Sequence, residues 1–196
     1  IVAGGSGNRM KSELPKQFLL LENKPILMHT LEKFAQLSEL EILLVLPKNQ
    51  FSYWGNLCVE YNFNVPHTIV EGGSTRFHSV LNGLNSISEK KGVVAVHDGV
   101  RPFITVELIE KLLDETVKQG NAIPFTYPKE SIRKVENNEN SAVDRADYRF
   151  IQTPQCFDLE QLKIAYKTEF QPFFTDDASV YEFNKNKIHL VEGEYS

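Results

Sequence analysis

The chain has 196 residues, of which 41% are hydrophobic and 24% charged, and its net charge is −5. This length suits a single domain with a full core, and the acidic balance argues against a general nucleic-acid-binding protein. No apolar run is long enough to cross a membrane and no signal peptide is visible, so we expect a cytoplasmic protein without membrane attachment. Cys58 and Cys156 lie far apart without metal-ligand spacing, and we expect both to be reduced thiols.

The first stretch, residues 1–10, joins two apolar residues to a glycine-rich turn, with Arg9 and Lys16 near its end. Glycines allow positive φ and let backbone N–H groups approach a bound anion, which suits phosphate. The pattern is not a P-loop, because Gly-Lys-Ser/Thr is missing, and not a dinucleotide fingerprint, because Met10 stands where the third glycine would fall. An ordinary surface turn is the alternative.

Helical and strand patterns alternate along the rest of the chain. Ser74 is the expected N-cap of one helix, and Asp158 with Gln161 predicts a capping box at another. Gly120 is the expected C′ residue of a third helix. The predicted helices cover residues 24–34, 48–57, 74–87 and 105–119, with two more after residues 158 and 175–177. The predicted strands cover residues 41–46, 64–70, 92–96, 121–124 and 188–191. Because the chain begins within a strand without a methionine and stops just after Gly193, we expect both ends to be trimmed.

This alternation predicts an α/β fold with a mainly parallel sheet and helices on both faces, in a single domain over residues 1–196. Ligands of such sheets bind beyond the carboxyl ends of the strands. The loops 4–9, 72–76 and 97–102 each follow a predicted strand. We therefore expect the three loops to open on one edge and to form one shared site.

Residues 125–149 have a different pattern, with short strand-like pieces and few large apolar side chains. The polar run 136–140 is rich in asparagine, a residue common in turns. This segment is predicted to be a projecting β-arm whose tip is the asparagine-rich run.

Charged residues near the predicted edge each have two interpretations. Asp98 ends an apolar strand, where it either caps the following turn or binds Mg²⁺, which prefers carboxylate and phosphate oxygens. Arg101 either forms a surface ion pair or supports that turn. Arg9 and Lys16 are either solvated or contact a triphosphate, and their place beyond a glycine-rich turn favours the triphosphate. Arg76 is a further cation, near the start of a helix.

The histidines form no recognisable catalytic pattern. All five are scattered along the chain. His97 precedes Asp98 directly, and a packing role is favoured over metal ligation. Serine and histidine form no readable nucleophilic triad, because no third group has an evident partner.

Five ordered motifs resemble the 2-C-methyl-D-erythritol 4-phosphate cytidylyltransferase family over nearly the whole chain. The first is Ala-Gly-Gly-x-Gly-x-Arg-Met followed by Pro-Lys-Gln, within residues 3–17. The others are Gly-Gly-x-x-Arg-x-x-Ser-Val at 72–80, His-Asp-x-x-Arg-Pro at 97–102, Val-Asp-Arg with Gln-Thr-Pro-Gln within 143–155, and Thr-Asp-Asp-Ala-Ser at 175–179.

The resemblance implies a Rossmann-like enzyme of the non-mevalonate isoprenoid pathway. It would join CTP and methylerythritol phosphate with Mg²⁺, giving the CDP-alcohol and pyrophosphate. It also implies a homodimer in which the arm, at about residues 125–149, reaches into the partner's site. The implied catalytic residues are Arg9 and Lys16, on the triphosphate. The implied nucleotide-binding residues are Ala3, Gly4, Gly5, Gly7, Gly73, Arg76, Ser79, Asp98 and Gly99, of which Asp98 also binds the metal. The implied substrate-binding residues are Arg101, Ser131, Arg145 and Thr175.

Some positions depart from the family pattern. Gly4 replaces a usual alanine, Ser74 a usual aspartate and Ser131 a usual threonine, and Gly99-Val100 stands where Ala-Ala is common. A lysine that the family assigns to the site is expected after residue 196, outside this chain.

Two other functions remain open at this point. The Arg-Pro-Phe sequence at 101–103 also resembles ribitol-5-phosphate cytidylyltransferases, so the alcohol could be another alditol phosphate. A nucleotide-binding protein without turnover is the second alternative. Loss of Lys16 or Asp98 would favour that alternative, and both residues are present.

Overall fold

The computed structural model describes residues 1–4 and 14–195, so the predictions for Gly5, Gly7 and Arg9 fall outside the described residues. None of the helices in these ranges is long and apolar enough to span a membrane. The helices are α1 Ile26–Phe34, α2 Phe51–Glu60, α3 Arg76–Ser86, α4 Val106–Gln119, α5 Leu159–Ala165 and α6 Asp177–Phe183. The strands are β1 Leu20–Leu21, β2 Lys24–Pro25, β3 Leu43–Leu46, β4 Thr68–Glu71, β5 Val93–Val96, β6 Asn121–Thr126, β7 Arg133–Glu136, β8 Glu139–Ala142, β9 Phe150–Ile151, β10 Gln155–Asp158 and β11 Leu190–Glu192. Within the described ranges, 3₁₀ turns lie at Lys16–Phe18, Lys48–Gln50 and Arg145–Asp147.

The ends of α3 and α4 follow from local hydrogen bonding. Thr75 is the N-cap of α3, where its extended backbone lets Oγ1 accept from the His78 N–H at 3.3 Å. The prediction of Ser74 as this cap was wrong by one residue. Thr105 caps α4, and Gly120 ends it at φ 84°, the left-handed conformation in which glycine meets no Cβ clash.

The last two helices also begin at aspartates. Asp158 accepts from the Gln161 N–H at 2.9 Å. The Gln161 side chain accepts from the Tyr181 hydroxyl, and no return bond to the cap is found, so the predicted capping box is only half formed. A complete capping box stands at α6, between Asp176 and Ser179. The cap predicted within residues 175–177 is therefore confirmed.

The central sheet is built around the first residues of the chain. Val2 forms parallel bridges to Val45 of β3 and to Asp98, just beyond β5. Together with the strand pairings, this gives the order β4, β3, residues 1–3, β5, β10, β6, β11. Helices pack around this sheet, so the α/β fold is confirmed.

Strands β9 and β10 make the sheet mixed rather than parallel. β10 runs antiparallel to both of its neighbours, β5 and β6. The arm leaves the sheet at the carboxyl end of β6, and β9 returns there to pair with β6. Without a crossover helix to carry the chain to the opposite end, the next strand must enter from this end and run antiparallel.

Helices on both faces bury two hydrophobic cores. Side chains of α1, α2 and α4 fill one core, and those of α3, α5 and α6 fill the other. Successive residues of one strand point into different cores. Ala122 and Cys156 belong to the first core, and their neighbours Ile123 and Phe157 belong to the second. This alternation is the period of two expected of a strand buried on both faces. Both cysteines are free thiols, as predicted.

The arm contains the hairpin of β7 and β8, whose residues are all exposed. Asn137 and Asn138 form its tip with φ of 51° and 65°, as a two-residue type I′ turn requires. The predicted tip is therefore confirmed. The predicted start was too early, because Phe125 and Thr126 are buried at the end of β6.

Candidate active site

The strand ends meet where residues 1–3 enter the sheet. The Val2 N–H donates to the His97 carbonyl at 2.8 Å, and the Ala3 N–H donates to the Val45 carbonyl at 2.9 Å. On the next strand, the Gly72 N–H donates to the Leu46 carbonyl at 2.8 Å. The three loops expected at one edge therefore do begin side by side.

Small residues allow these loops to touch. The Gly73 N–H donates to Ser79 Oγ at 3.1 Å, and Ser79 is only 2% exposed. A Cβ added to Gly4 would lie 3.2 Å from the same oxygen. A Cβ on Gly73 would lie 2.3 Å from His78 Cβ, so only glycine fits at that position. Gly4, Gly73 and Ser79 therefore form one close-packed group.

Gly99 packs against the first residues of the chain, next to this group. Its N–H donates to the Val2 carbonyl at 2.9 Å, and its carbonyl accepts from Thr30 Oγ1 at 3.0 Å. A Cβ here would come within 2.9 Å of Ala3 Cβ and Leu27 Cδ1. The glycine is thus needed for packing under Ala3, and its contact with a nucleotide stays a prediction.

Lys16 is the first residue of a 3₁₀ turn that is hydrogen-bonded to the same edge. The neighbouring Gln17 donates from Nε2 to the Ala3 carbonyl at 2.8 Å and to Gln50 Oε1 at 2.9 Å. The Lys16 side chain is exposed and forms no hydrogen bond or ion pair with the described residues. Its charge is therefore available to a ligand at the sheet edge.

Asp98 lies between two arginines. Its Oδ2 accepts from Arg101 Nε at 2.9 Å, and its Oδ1 lies 3.6 Å from Arg76 Nε. Burial alone would raise the pKa of Asp98, but the charge of Arg76 and the bond to Arg101 outweigh it and lower the pKa. The side chain is therefore a carboxylate. Its hydrogen bond goes to the Arg101 side chain and its second ion pair to Arg76, so the alternative that it caps the turn is not supported.

Sequence reasoning missed the second anion that holds Arg76. Arg76 Nη2 donates to Oδ2 of Asp177 at 2.6 Å, and Asp177 is fully buried. Its Oδ1 accepts from the Tyr166 hydroxyl. Burial and the charge of Asp177 raise the pKa of Tyr166 well above its usual value, so Tyr166 remains a donor. The available signal was the pair of aspartates at 176–177, since only one of them can cap α6.

His97 fixes the turn that carries Asp98. Its Nε2 donates to the Arg101 carbonyl at 3.0 Å, which leaves Nδ1 to accept from Thr153 Oγ1 at 3.0 Å. Its ring also packs on Phe34, with centroids 4.9 Å apart. Burial lowers the pKa of His97 to about 4, so the ring is neutral and structural, as predicted.

We expect acid to destabilise the fold through His97. The unfolded chain binds this proton below its usual pKa of 6.5, whereas the folded chain binds it only below about 4. The stabilisation is therefore complete above pH 6.5 and is lost as the pH falls to 4, by about 3 kcal/mol. Urea unfolding at pH 7.5 and 4.5 measures it. His97→Asn should show a smaller difference between the two pH values, and an unchanged difference would contradict this assignment.

The predicted alcohol-binding residues are divided between two places. Arg101 lies at the sheet edge, and exposed Thr175 lies two residues before Asp177, which holds Arg76. Ser131 and Arg145 are exposed on the arm, where Arg145 donates to the Lys129 carbonyl. Among the described residues, no hydrogen bond or ion pair joins Ser131 or Arg145 to the edge.

The donor set at the edge suits a metal that is shared with a nucleotide. In the described parts of the chain, no three His, Cys, Asp or Glu side chains cluster into a metal cage. Mg²⁺ usually binds through one or two carboxylates together with substrate phosphates. Asp98 is a single ionised carboxylate whose side chain is 27% exposed, and it fits that arrangement.

Comparisons with known protein sequences identify a single family. The family model for 2-C-methyl-D-erythritol 4-phosphate cytidylyltransferase matches residues 1–196. Proteins of that name from Bacteroides thetaiotaomicron and Bacteroides fragilis are 49% and 50% identical over 194 residues, 98% of this chain and 88% of theirs.

Solved structures agree with these sequence matches. The 4-diphosphocytidyl-2C-methyl-D-erythritol synthase of Anaerococcus prevotii superposes with a TM-score of 0.82 at 29% identity, over 99% of this chain and 85% of that one. The 2-C-methyl-D-erythritol 4-phosphate cytidylyltransferase of Thermus thermophilus gives 0.77 at 28% identity, over 98% and 87%.

Proposed function

Because the chain belongs to the 2-C-methyl-D-erythritol 4-phosphate cytidylyltransferase family, we propose that its sheet edge binds magnesium–CTP and that a partner subunit completes the site. The chain is a CTP-dependent cytidylyltransferase of the non-mevalonate isoprenoid pathway. It joins CTP and 2-C-methyl-D-erythritol 4-phosphate to give 4-diphosphocytidyl-2-C-methyl-D-erythritol and pyrophosphate. This conclusion rests on the sequence identity of about 50% to the two Bacteroides proteins, over 98% of the chain. It leaves the ribitol-5-phosphate alternative without support.

The close-packed group at Gly4, Gly73 and Ser79 is the proposed binding site for the cytidine. The backbone of Gly4 and of Gly73 approaches Ser79 Oγ closely, and we take this tight packing to favour a pyrimidine over a purine. Ala3, Gly5 and Gly7 line the same nucleotide in this proposal. The glycines bring N–H groups toward phosphate oxygens.

The triphosphate is proposed to lie between Asp98 and the cations Arg9 and Lys16. The Lys16 side chain has no partner among the described residues, so it can meet an anion without first breaking an ion pair. When bound at Asp98, Mg²⁺ would supply a Lewis acid that neutralises phosphate charge. Arg76 lies 3.6 Å from Asp98 and adds positive charge to the same place.

The reaction needs positioning and charge stabilisation more than covalent help from the protein. An oxygen of the alcohol's phosphate attacks the α-phosphorus of CTP in line, forming the new P–O bond as the bond to pyrophosphate breaks. That oxygen is already ionised, so no general base is required. Arg9 and Lys16 offset charge that builds on the α-phosphate. Alignment of the two bound anions can account for roughly 7–11 kcal/mol of the barrier.

The alcohol's phosphate is proposed to be held by two subunits. Arg101 and Thr175 belong to the core that binds CTP, whereas Ser131 and Arg145 reach over from the partner's arm. Within one chain, no hydrogen bond or ion pair among the described residues joins Ser131 or Arg145 to the sheet edge, and this supports the arrangement. We propose a homodimer in the cytoplasm, where free Cys58 and Cys156 remain reduced.

Pyrophosphate release tests the nucleotide and alcohol assignments together. We expect CTP to be used in preference to UTP and ATP, because the group around Ser79 leaves little room for a purine. With CTP, methylerythritol phosphate should be used in preference to ribitol 5-phosphate. Equal efficiency with ATP would overturn the placement of the base at Gly73 and Ser79, and preference for ribitol 5-phosphate would overturn the alcohol.

A further inference from the structure

A chain of polar contacts runs from Tyr166, directly after α5, to the proposed metal ligand Asp98. The Tyr166 hydroxyl donates to Oδ1 of Asp177, whose Oδ2 accepts from Arg76 Nη2 at 2.6 Å. Arg76 Nε lies 3.6 Å from Oδ1 of Asp98, too far for a hydrogen bond. The guanidinium is therefore committed to Asp177 and only near Asp98.

This geometry matters because both Asp98 oxygens are within reach of a cation. Oδ2 is bonded to Arg101 Nε at 2.9 Å, so Oδ1 is the oxygen without a close bond to either arginine. A guanidinium that moved onto Oδ1 would compete with a metal for the same lone pairs. Asp177 is the group that opposes this movement, since it bonds Arg76 directly from a fully buried position.

We propose that Asp177, oriented by Tyr166, is a positioning residue that keeps Arg76 from closing on Asp98 and so leaves Asp98 Oδ1 to the metal of magnesium–CTP. The inference rests on the proposed function, because it takes Asp98 as the metal ligand. Asp177 contacts neither substrate nor metal in this scheme and acts only through Arg76. Removal of its charge should therefore weaken metal-dependent binding, while metal-free CTP binding should change little.

The test measures the affinity for CTP by calorimetry with and without Mg²⁺, in the absence of the alcohol phosphate so that no turnover occurs. The ratio of the two affinities is the magnesium enhancement. We expect Asp177→Asn to reduce this enhancement by about tenfold, within the range typical of energetic coupling between sites. Asp98→Asn should abolish it. Asp158→Asn, which removes an aspartate that caps α5, is the matched control and should leave it unchanged.

A double-mutant cycle shows whether Asp177 acts through Arg76. In an Arg76→Gln background, Asp177→Asn should have no further effect on the enhancement, because the competing cation is gone. An equal loss in both backgrounds would overturn the proposal, and so would an unchanged enhancement in Asp177→Asn alone. Absence of enhancement in the unmodified chain would instead overturn the metal assignment itself, and this inference with it.

A second variant keeps the test valid if Asp177→Asn does not fold. Tyr166→Phe removes the hydroxyl that orients Asp177 but retains every charge. It should lower the enhancement in the same direction by a smaller factor. Tyr181→Phe removes a comparable hydroxyl bonded to Gln161 and should have no effect. Equal enhancement in Tyr166→Phe and Tyr181→Phe would contradict the proposal.

Discussion

Replacement of Lys16 by alanine is expected to lower kcat by about 10²–10³ while changing the KM for CTP much less. A cation that meets charge developing on the α-phosphate acts mainly in the transition state, so its loss appears in kcat. The Lys16 side chain is exposed and has no partner among the described residues, so its removal should leave the fold intact. Steady-state pyrophosphate release at varied CTP measures both constants.

A matched variant separates this role from a general loss of charge. Lys90→Ala removes another exposed lysine, in the loop before β5 and so at the opposite end of the strands. It should leave both kinetic constants unchanged. If Lys16→Ala raised only the KM, Lys16 would be a ground-state anchor for the triphosphate, and the role proposed here would be wrong.

A mixture of two inactive variants, Lys16→Ala and Arg145→Ala, is expected to regain activity in roughly a quarter of its sites if two-fold partners exchange arms. About half of a random mixture is heterodimer, and each heterodimer then carries one intact site and one doubly damaged site. The arm supports this expectation, because the β7–β8 hairpin is wholly exposed and Val135 is 73% exposed. A lone two-stranded hairpin is marginal in water, so a partner surface is needed to stabilise it.

The mixing experiment depends on two controls. Each parent must be nearly inactive alone, and subunit exchange must be verified with chains that carry distinguishable tags. Activity is measured by pyrophosphate release before and after exchange. A verified heterodimer that remains as inactive as its parents would show that Arg145 does not serve the partner's site.

The sequence was sufficient where local chemistry decides the structure. The apolar runs at 41–46 and 92–96 predicted β3 and β5. As expected, α4 ends at Gly120 and α6 begins with a cap within residues 175–177. In each case a few neighbouring residues determine the backbone. The cap of α3 was misplaced by one residue because Ser74 and Thr75 are both good caps, and only the His78 contact distinguishes them.

The candidate site was only partly predictable, because some of its contacts join residues that are far apart in the chain. Asp98, Arg76 and Arg101 were identified because each follows or opens an element at the sheet edge. Asp177 was not identified, because its partner Arg76 is 101 residues away in the chain. Thr153, which bonds His97, was missed in the same way.

The sequence by itself determined the alternation of strands and helices, the meeting of three loops at one edge and, through ordered motifs, the family. These depend on backbone preferences and hydrophobic period, which act over a few residues. Only the tertiary structure decided the antiparallel course of β10, the tautomer of His97 and the buried contact between Arg76 and Asp177. Each of these depends on which distant segments pack together, and in a buried site the resulting hydrogen bonds and charges decide the chemistry.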